Sequence, residues 1–157
     1  MKAQGFKQST ALLIAEFFGS GRIPYAPGTM GSLASLLIWI PAVMYAWPLW
    51  VKLGLLVIIF VLGLWASDYG IAHYHCIDPK QVVIDEVVGQ GIPFLLLEPS
   101  WIQFALAFVL FRFFDIVKPW PIKAIEQLFP DRWGIMLDDI AAGIMAMAVL
   151  FIGKALL

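Results

Sequence analysis

The sequence predicts an all-α integral membrane protein, a helical bundle of about four to five hydrophobic helices preceded by an amphipathic helix at the membrane interface. Of its 157 residues, 62% are hydrophobic and 13% are charged, about half the charged share of an ordinary soluble domain. So few charged side chains cannot cover that much apolar surface in water. The hydrophobicity excludes a disordered chain, and a net charge of −1 provides no basic surface for nucleic acid.

Residues 1–31 are expected to form the interfacial helix and a Gly/Pro-rich loop, and residues 32–157 the helical bundle, all within a single domain. Lys2 and Lys7 precede a short apolar run that Glu16 interrupts, which favours a helix on the membrane surface. Five apolar segments follow, at residues 32–49, 53–67, 87–97, 101–117 and 140–157. A spanning helix needs about 20 residues, so the short third segment is either a tilted span or a re-entrant hairpin.

Basic residues predict the orientation, because lysine and arginine collect in short cytoplasmic loops. Those before the first span and in the connection before the last span are Lys2, Lys7, Arg22, Lys118, Lys123 and Arg132. The N-terminus and the connections 68–85 and 118–139 are therefore expected on the cytoplasmic side. This orientation brings carboxylates from separate parts of the chain to one face, where a single site could collect them.

Two adjacent carboxylates, Asp85 and Glu86, stand at the start of the third apolar segment. Charges at a membrane boundary are costly unless they have a partner, and a divalent metal ion prefers oxygen ligands of this kind. The alternative is a solvated helix start, where the helix macrodipole stabilises negative charge.

A charged stripe, Arg112, Asp115 and Lys118, ends the fourth apolar segment with a spacing of three residues. We interpret Asp115 as a metal ligand, and Arg112 and Lys118 as ligands of phosphate oxygens. The alternative is that the opposite charges neutralise one another in place.

A second pair of carboxylates, Asp138 and Asp139, opens the last span. Helix capping by Asp138 explains one of them but not both, so the pair again indicates a metal site. Ala142 and Ala146 follow at a spacing that gives a small face for close helix packing.

The Gly/Pro-rich segment 19–32 leads directly into the first span. Thr29 is the expected N-cap, and free backbone N–H groups beside Arg22 and Ser32 would suit a phosphate. A simple turn between a surface helix and a span explains the same residues equally well.

In chain order, residues 27–32, 85–89, 111–121 and 134–143 resemble the motifs of the phosphatidylglycerophosphatase A family. The resemblance implies a bacterial, multi-pass enzyme of the cytoplasmic (inner) membrane, with its active site facing the cytoplasm. It implies the Mg²⁺-dependent removal of the terminal phosphate of phosphatidylglycerophosphate, which leaves phosphatidylglycerol and inorganic phosphate in phospholipid biosynthesis. The expected partner is a phospholipid in the bilayer, with no nucleic acid and no protein partner.

The resulting hypothesis gives five carboxylates a catalytic role at one or two Mg²⁺ sites: Asp85, Glu86, Asp115, Asp138 and Asp139. The phosphate-binding residues are expected to be Arg22, Thr29, Ser32, Arg112 and Lys118. Attack by water is favoured over a covalent aspartyl-phosphate, because the Asp-x-Asp-x-Thr signature is absent.

Two classes of alternative function stay open. One is a small channel or transporter that uses Asp and Arg as an ion path. The other is a different lipid-phosphate enzyme, although the motifs of CDP-alcohol phosphotransferases and of histidine-type lipid phosphatases are absent. A single cysteine, Cys76, allows no disulfide framework, and we interpret it as a core residue rather than a nucleophile. The spacing of His73 and His75 does not indicate a zinc site, and we interpret them as loop residues, with proton transfer as the alternative.

Overall fold

The computed structural model describes residues 2–129 and 131–156, and within these ranges every regular secondary-structure element is a helix. This confirms the predicted all-α class. A short 3₁₀ turn, Ser20–Arg22, follows the first helix. The seven α-helices are α1 (Lys2–Ala15), α2 (Pro27–Met44), α3 (Leu49–Tyr74), α4 (Ile84–Phe94), α5 (Trp101–Val117), α6 (Ile122–Leu128) and α7 (Asp131–Leu156).

Three of these helices, α2, α3 and α7, are long and apolar enough to cross a membrane. Their 18 to 26 residues correspond to about 27 to 39 Å, against a hydrocarbon core of about 30 Å. Helix α5 has 17 residues, which is at the lower limit for a span. The structure therefore contains three helices that could span a membrane, and the finer count of four to five spans stays a prediction.

Helix α4 is a short helix buried at the centre of the bundle. Its 11 residues correspond to about 16 Å, roughly half the thickness of the hydrocarbon core. It contacts α2, α3, α5 and α7, and apart from Glu86 all its residues are buried. The buried Lys52 side chain donates hydrogen bonds to the carbonyls of Phe94 and Leu95, which satisfies the carboxyl end of the helix. Only the amino end of α4 is left to face a polar site.

Two glycines allow α4 and α7 to pack backbone against backbone. A Cβ atom on Gly143 of α7 would lie 2.3 Å from the carbonyl oxygen of Gly89, and one on Gly89 would lie 2.6 Å from the carbonyl oxygen of Asp139. Ala142 and Ala146 on the same helix are fully buried, so the predicted small face is used for packing. This close contact holds Asp139 beside the amino-terminal half of α4.

Gly143→Ala should lower the stability of the protein, because the added methyl group meets backbone rather than a side chain that could move. Overpacking of this kind costs about 1 to 3 kcal/mol, which thermal unfolding in detergent would show as a lower Tm. Gly153→Ala is the matched control on the same helix, since a Cβ there meets nothing within 4 Å. Equal Tm changes in the two variants would contradict the proposed contact.

The predicted N-terminal helix forms as α1, and it packs on α3. Ala11, Leu12 and Ala15 are buried in that contact. Its position at the membrane interface stays a prediction.

Two helices begin earlier than predicted, so neither expected N-cap is correct. Helix α2 begins at Pro27, with Ala26 rather than Thr29 at the N-cap position, because proline suits the first turn of a helix. Helix α7 begins at Asp131, which places Asp138 about two turns inside it. Capping therefore does not account for Asp138.

Candidate active site

A polar cavity of about 700 Å³ opens where the amino ends of α2 and α4 meet α5, α6 and α7. All five carboxylates predicted from the sequence line it. The complete set of lining carboxylates is Asp78, Asp85, Glu86, Asp115, Glu126, Asp131, Asp138 and Asp139. The lining cations are Lys80, Arg112 and Lys118. A cavity with this excess of negative charge can bind a phosphate only if further positive charge enters with it.

Three carboxylates, Asp85, Glu86 and Asp139, form the deepest part of this cluster. Each contributes an oxygen atom, and these oxygens all lie within 4.8 Å of one another. A buried oxygen on each residue has no hydrogen-bond partner among the described residues: Asp85 Oδ1, Glu86 Oε2 and Asp139 Oδ2. Leaving buried carboxylate oxygens unpaired is costly, and a hard divalent cation would satisfy all three. The donor set therefore fits Mg²⁺.

Arg112 connects α5 to the start of α2 and to α4. Its Nη1 lies 2.6 Å from Asp115 Oδ2 and 3.7 Å from Glu86 Oε1, and it donates a hydrogen bond of 3.2 Å to Ser32 Oγ. A Cβ on Gly28 would lie 2.1 Å from Glu86 Oε1 and 3.2 Å from Arg112 Nη2. Only glycine at this position lets the first turn of α2 approach the charged pair.

Lys118 connects the end of α5 to α6 and α7. Its Nζ lies 2.5 Å from Asp138 Oδ2 and 2.9 Å from Glu126 Oε1. Burial favours the neutral amine, but the hydrogen bonds and charges of Asp138 and Glu126 raise the pKa of Lys118 above its ordinary value. The other oxygen of Asp138 accepts a hydrogen bond from the Asp139 N–H at 2.9 Å. Unlike Asp139, Asp138 therefore has partners for both of its oxygens.

The predicted phosphate ligands divide into two groups. Thr29, Arg112 and Lys118 line the cavity, and Ser32 is buried directly behind Arg112. Arg22 does not line the cavity, and the structure does not bring it to the other four. Its Nε lies 2.5 Å from Glu16 Oε2, with the arginine side chain 66% exposed, because the fully buried Glu16 needs a countercharge.

Four charged residues of the cavity were missing from the sequence prediction: Asp78, Lys80, Glu126 and Asp131. They lie in the segments 68–85 and 118–139, which were expected on the same side of the membrane as the carboxylate motifs. That shared location was the only feature of the sequence that could have indicated these four residues. The lining residues do not include His73, His75 or Cys76. Cys76 is exposed rather than in the core, and His73 lies in α3 rather than in a loop.

Comparison with known proteins identifies the family. Residues 13–154 match the family model described as Phosphatidylglycerophosphatase A. Proteins named Phosphatidylglycerophosphatase A from Escherichia coli and Haemophilus influenzae are 38% and 39% identical over 143 and 142 residues. Each alignment covers 88% of this chain, with 80% of the first relative and 85% of the second.

A third relative carries a different name. A Bacteroides thetaiotaomicron protein named as a phosphatidylinositol-3-phosphatase is 37% identical over 150 residues, which is 91% of this chain and 92% of that protein. No solved structure matches the chain significantly. The residues matched by the family model include all four motifs that line or adjoin the cavity. The chain therefore belongs to the phosphatidylglycerophosphatase A family and is an enzyme of that family.

Proposed function

We propose that the protein removes the terminal phosphate of phosphatidylglycerophosphate, leaving phosphatidylglycerol and inorganic phosphate, with Mg²⁺ held by Asp85, Glu86 and Asp139. The observation that carries the proposal is the trio of converging carboxylates, each with an unpartnered buried oxygen, in a cavity that also contains Arg112 and Lys118. Two relatives named for this substrate support the choice of lipid.

The chain's own residues would divide the work of phosphate-ester hydrolysis. When bound, Mg²⁺ would neutralise charge on the phosphoryl oxygens and make a water molecule more acidic. The first backbone N–H groups of α2, at Gly28 and Thr29, are free to bind phosphate oxygens. Asp115 orients the Arg112 guanidinium toward Glu86, and Lys118 holds Asp138 in place. We propose water as the nucleophile.

The site is proposed to face the cytoplasm of a bacterial cell, in the inner membrane. The basic residues Lys118, Lys123 and Arg132 lie on the connection and helix starts around the cavity, which is the distribution that the positive-inside rule expects for that side. Reporter fusions after residues 78 and 130 should therefore both report a cytoplasmic location, and opposite locations would contradict a single site.

A second candidate substrate is phosphatidylinositol 3-phosphate, because one relative with high coverage is named for it. Both lipids carry a terminal phosphate monoester on a headgroup that a phosphodiester joins to the lipid. The chemistry required at the carboxylate cluster is the same in the two cases.

Phosphate release by the detergent-purified protein tests the proposal. The substrates are phosphatidylglycerophosphate, phosphatidylinositol 3-phosphate and phosphatidic acid, each with Mg²⁺ or with EDTA. We expect the fastest release from phosphatidylglycerophosphate, its loss in EDTA and its recovery when Mg²⁺ is restored. Release that is insensitive to EDTA would contradict the metal, faster release from phosphatidylinositol 3-phosphate would favour the second substrate, and no release from any lipid would contradict both.

A further inference from the structure

Among the described residues that line the cavity, Lys80 is the cation that forms no ion pair with a carboxylate. It lies in the connection between α3 and α4, is exposed, and lines the cavity. Arg112 and Lys118 each have a carboxylate oxygen within 2.6 Å. Among the described residues, by contrast, Lys80 has no carboxylate within the 4.0 Å of an ion pair. Its ammonium group is available to a ligand.

The backbone that carries Lys80 is held by contacts on both sides. The Val82 N–H donates to the Pro79 carbonyl at 2.9 Å, which closes a turn with Lys80 inside it, and the Val83 N–H donates to the Ala15 carbonyl at 2.8 Å. The Gln81 carbonyl oxygen packs so closely on Gly21 that a Cβ there would lie 2.1 Å away. The backbone at Lys80 is therefore held in place, and the Lys80 side chain does not have to break an ion pair before it binds a ligand.

The lining that includes Lys80 also has the apolar character that a lipid requires. Ile77, on the same connection, is 66% exposed, and Ile116, at the end of α5, is 67% exposed. Both line the cavity, so a phospholipid that enters from the bilayer would meet apolar side chains on its way to the carboxylate cluster. The part of its headgroup nearest the acyl chains would then pass the rim where Lys80 lies.

The substrate of the proposed function has two phosphates in different positions. The terminal monoester is the group that reacts, and it belongs at the carboxylate cluster with Arg112 and Lys118. The phosphodiester carries a separate negative charge, one glycerol unit away on the side of the acyl chains. A diester entering this anionic cavity needs a countercharge that the carboxylates have not already taken.

We propose that Lys80 binds this phosphodiester and makes the enzyme select lipids whose headgroup carries a diester in addition to the terminal phosphate. The inference rests on the proposed function, because it assigns the second phosphate of that substrate. Lys80 would act in recognition only, since the bond that breaks lies at the carboxylate cluster.

Lys80→Met tests the assignment in steady-state hydrolysis of phosphatidylglycerophosphate, presented in micelles of an uncharged detergent. Losing one charge-assisted hydrogen bond should raise KM about tenfold and change kcat by less than about twofold, because the interaction serves binding rather than the reacting bond. Inhibition by inorganic phosphate, which occupies only the monoester position, should keep its inhibition constant. Lys80→Arg should keep a KM close to that of the unmodified protein.

Lys123→Met is the matched control, because Lys123 is also exposed, has no ion pair among the described residues and does not line the cavity. It should leave KM unchanged. An unchanged KM in Lys80→Met would overturn the assignment. So would an equal weakening of phosphate inhibition, since Lys80 would then serve the monoester. Failure of the unmodified protein to hydrolyse phosphatidylglycerophosphate would instead count against the proposed function.

Discussion

Asp139→Asn should greatly slow phosphate release and at the same time raise the Tm of the metal-free protein. Asp139 is almost completely buried, and its carboxylate lies within 4.8 Å of two others. Without a cation, bringing these like charges together and out of water costs free energy, and an amide of the same shape relieves part of that cost. The same substitution removes one of the three negative charges of the proposed Mg²⁺ site and replaces one carboxylate oxygen by an NH₂ group that cannot bind a cation.

The two effects have opposite signs, and this makes the prediction specific. We expect a loss of activity of about a hundredfold to a thousandfold, the usual effect of removing one strong electrostatic contact at a reacting centre. The Tm in EDTA should rise, whereas the increase in Tm on adding Mg²⁺, large in the unmodified protein, should nearly disappear. Differential scanning fluorimetry in detergent measures both values.

Glu98→Gln is the matched control for the loss of one carboxylate. Glu98 pairs with Lys154 at 2.8 Å, both side chains being mostly exposed, and neither residue lines the cavity. This variant should keep full activity and an unchanged response of Tm to Mg²⁺. An Asp139→Asn protein that retained activity, or that was less stable than the unmodified protein in EDTA, would remove Asp139 from the metal site.

The sequence could predict the membrane helices and the collection of carboxylates, because both depend on strong and local signals. Long apolar segments identify α2, α3 and α7, and the basic residues place Asp85 and Asp138 on one side of the membrane. The role of α4 could not be predicted in the same way. An apolar segment has the same sequence pattern whether lipid or protein surrounds it. The burial of α4 and its contacts with four other helices, closest at Gly89 and Gly143, show that it lies inside the bundle.

The details of the site escaped prediction because they depend on contacts between distant parts of the chain. Arg22 was expected to bind phosphate, but it forms an ion pair with the buried Glu16. No pattern in the sequence indicates that a single glutamate will be buried. Lys80 lies in a turn between helices, where no periodicity distinguishes a residue that faces a cavity from one that faces water. The three-residue spacing of Arg112, Asp115 and Lys118 predicted one stripe, but Lys118 adopts a left-handed conformation at the end of α5 and contacts α6 and α7 instead.

Arg112→Met should cause the largest combined loss of stability and activity. Asp115 and Glu86 have side chains only 13% exposed, and Arg112 lies between them. Removing the cation from such a cluster leaves buried charges without compensation, which costs about 3 to 5 kcal/mol. Phosphate release should fall about a hundredfold or more, because the fork of donors that we propose binds the phosphate is also lost. Arg132→Met, which breaks the more exposed pair with Asp68, should change neither quantity strongly.

A second variant separates the two interpretations of this charged stripe. If Arg112 serves only to neutralise Asp115, then Arg112→Met combined with Asp115→Asn should recover both the Tm and the activity. If Arg112 binds the phosphate, the double variant should recover most of the Tm and none of the activity. The single variant Arg112→Lys should then keep only part of the activity, because lysine supplies a point charge without the forked pair of donors. Thermal unfolding and phosphate release, measured on the same detergent preparations, distinguish these outcomes. We expect the second result, since Arg112 already contacts Glu86 and Ser32 as well as Asp115, more than the neutralisation of one carboxylate requires.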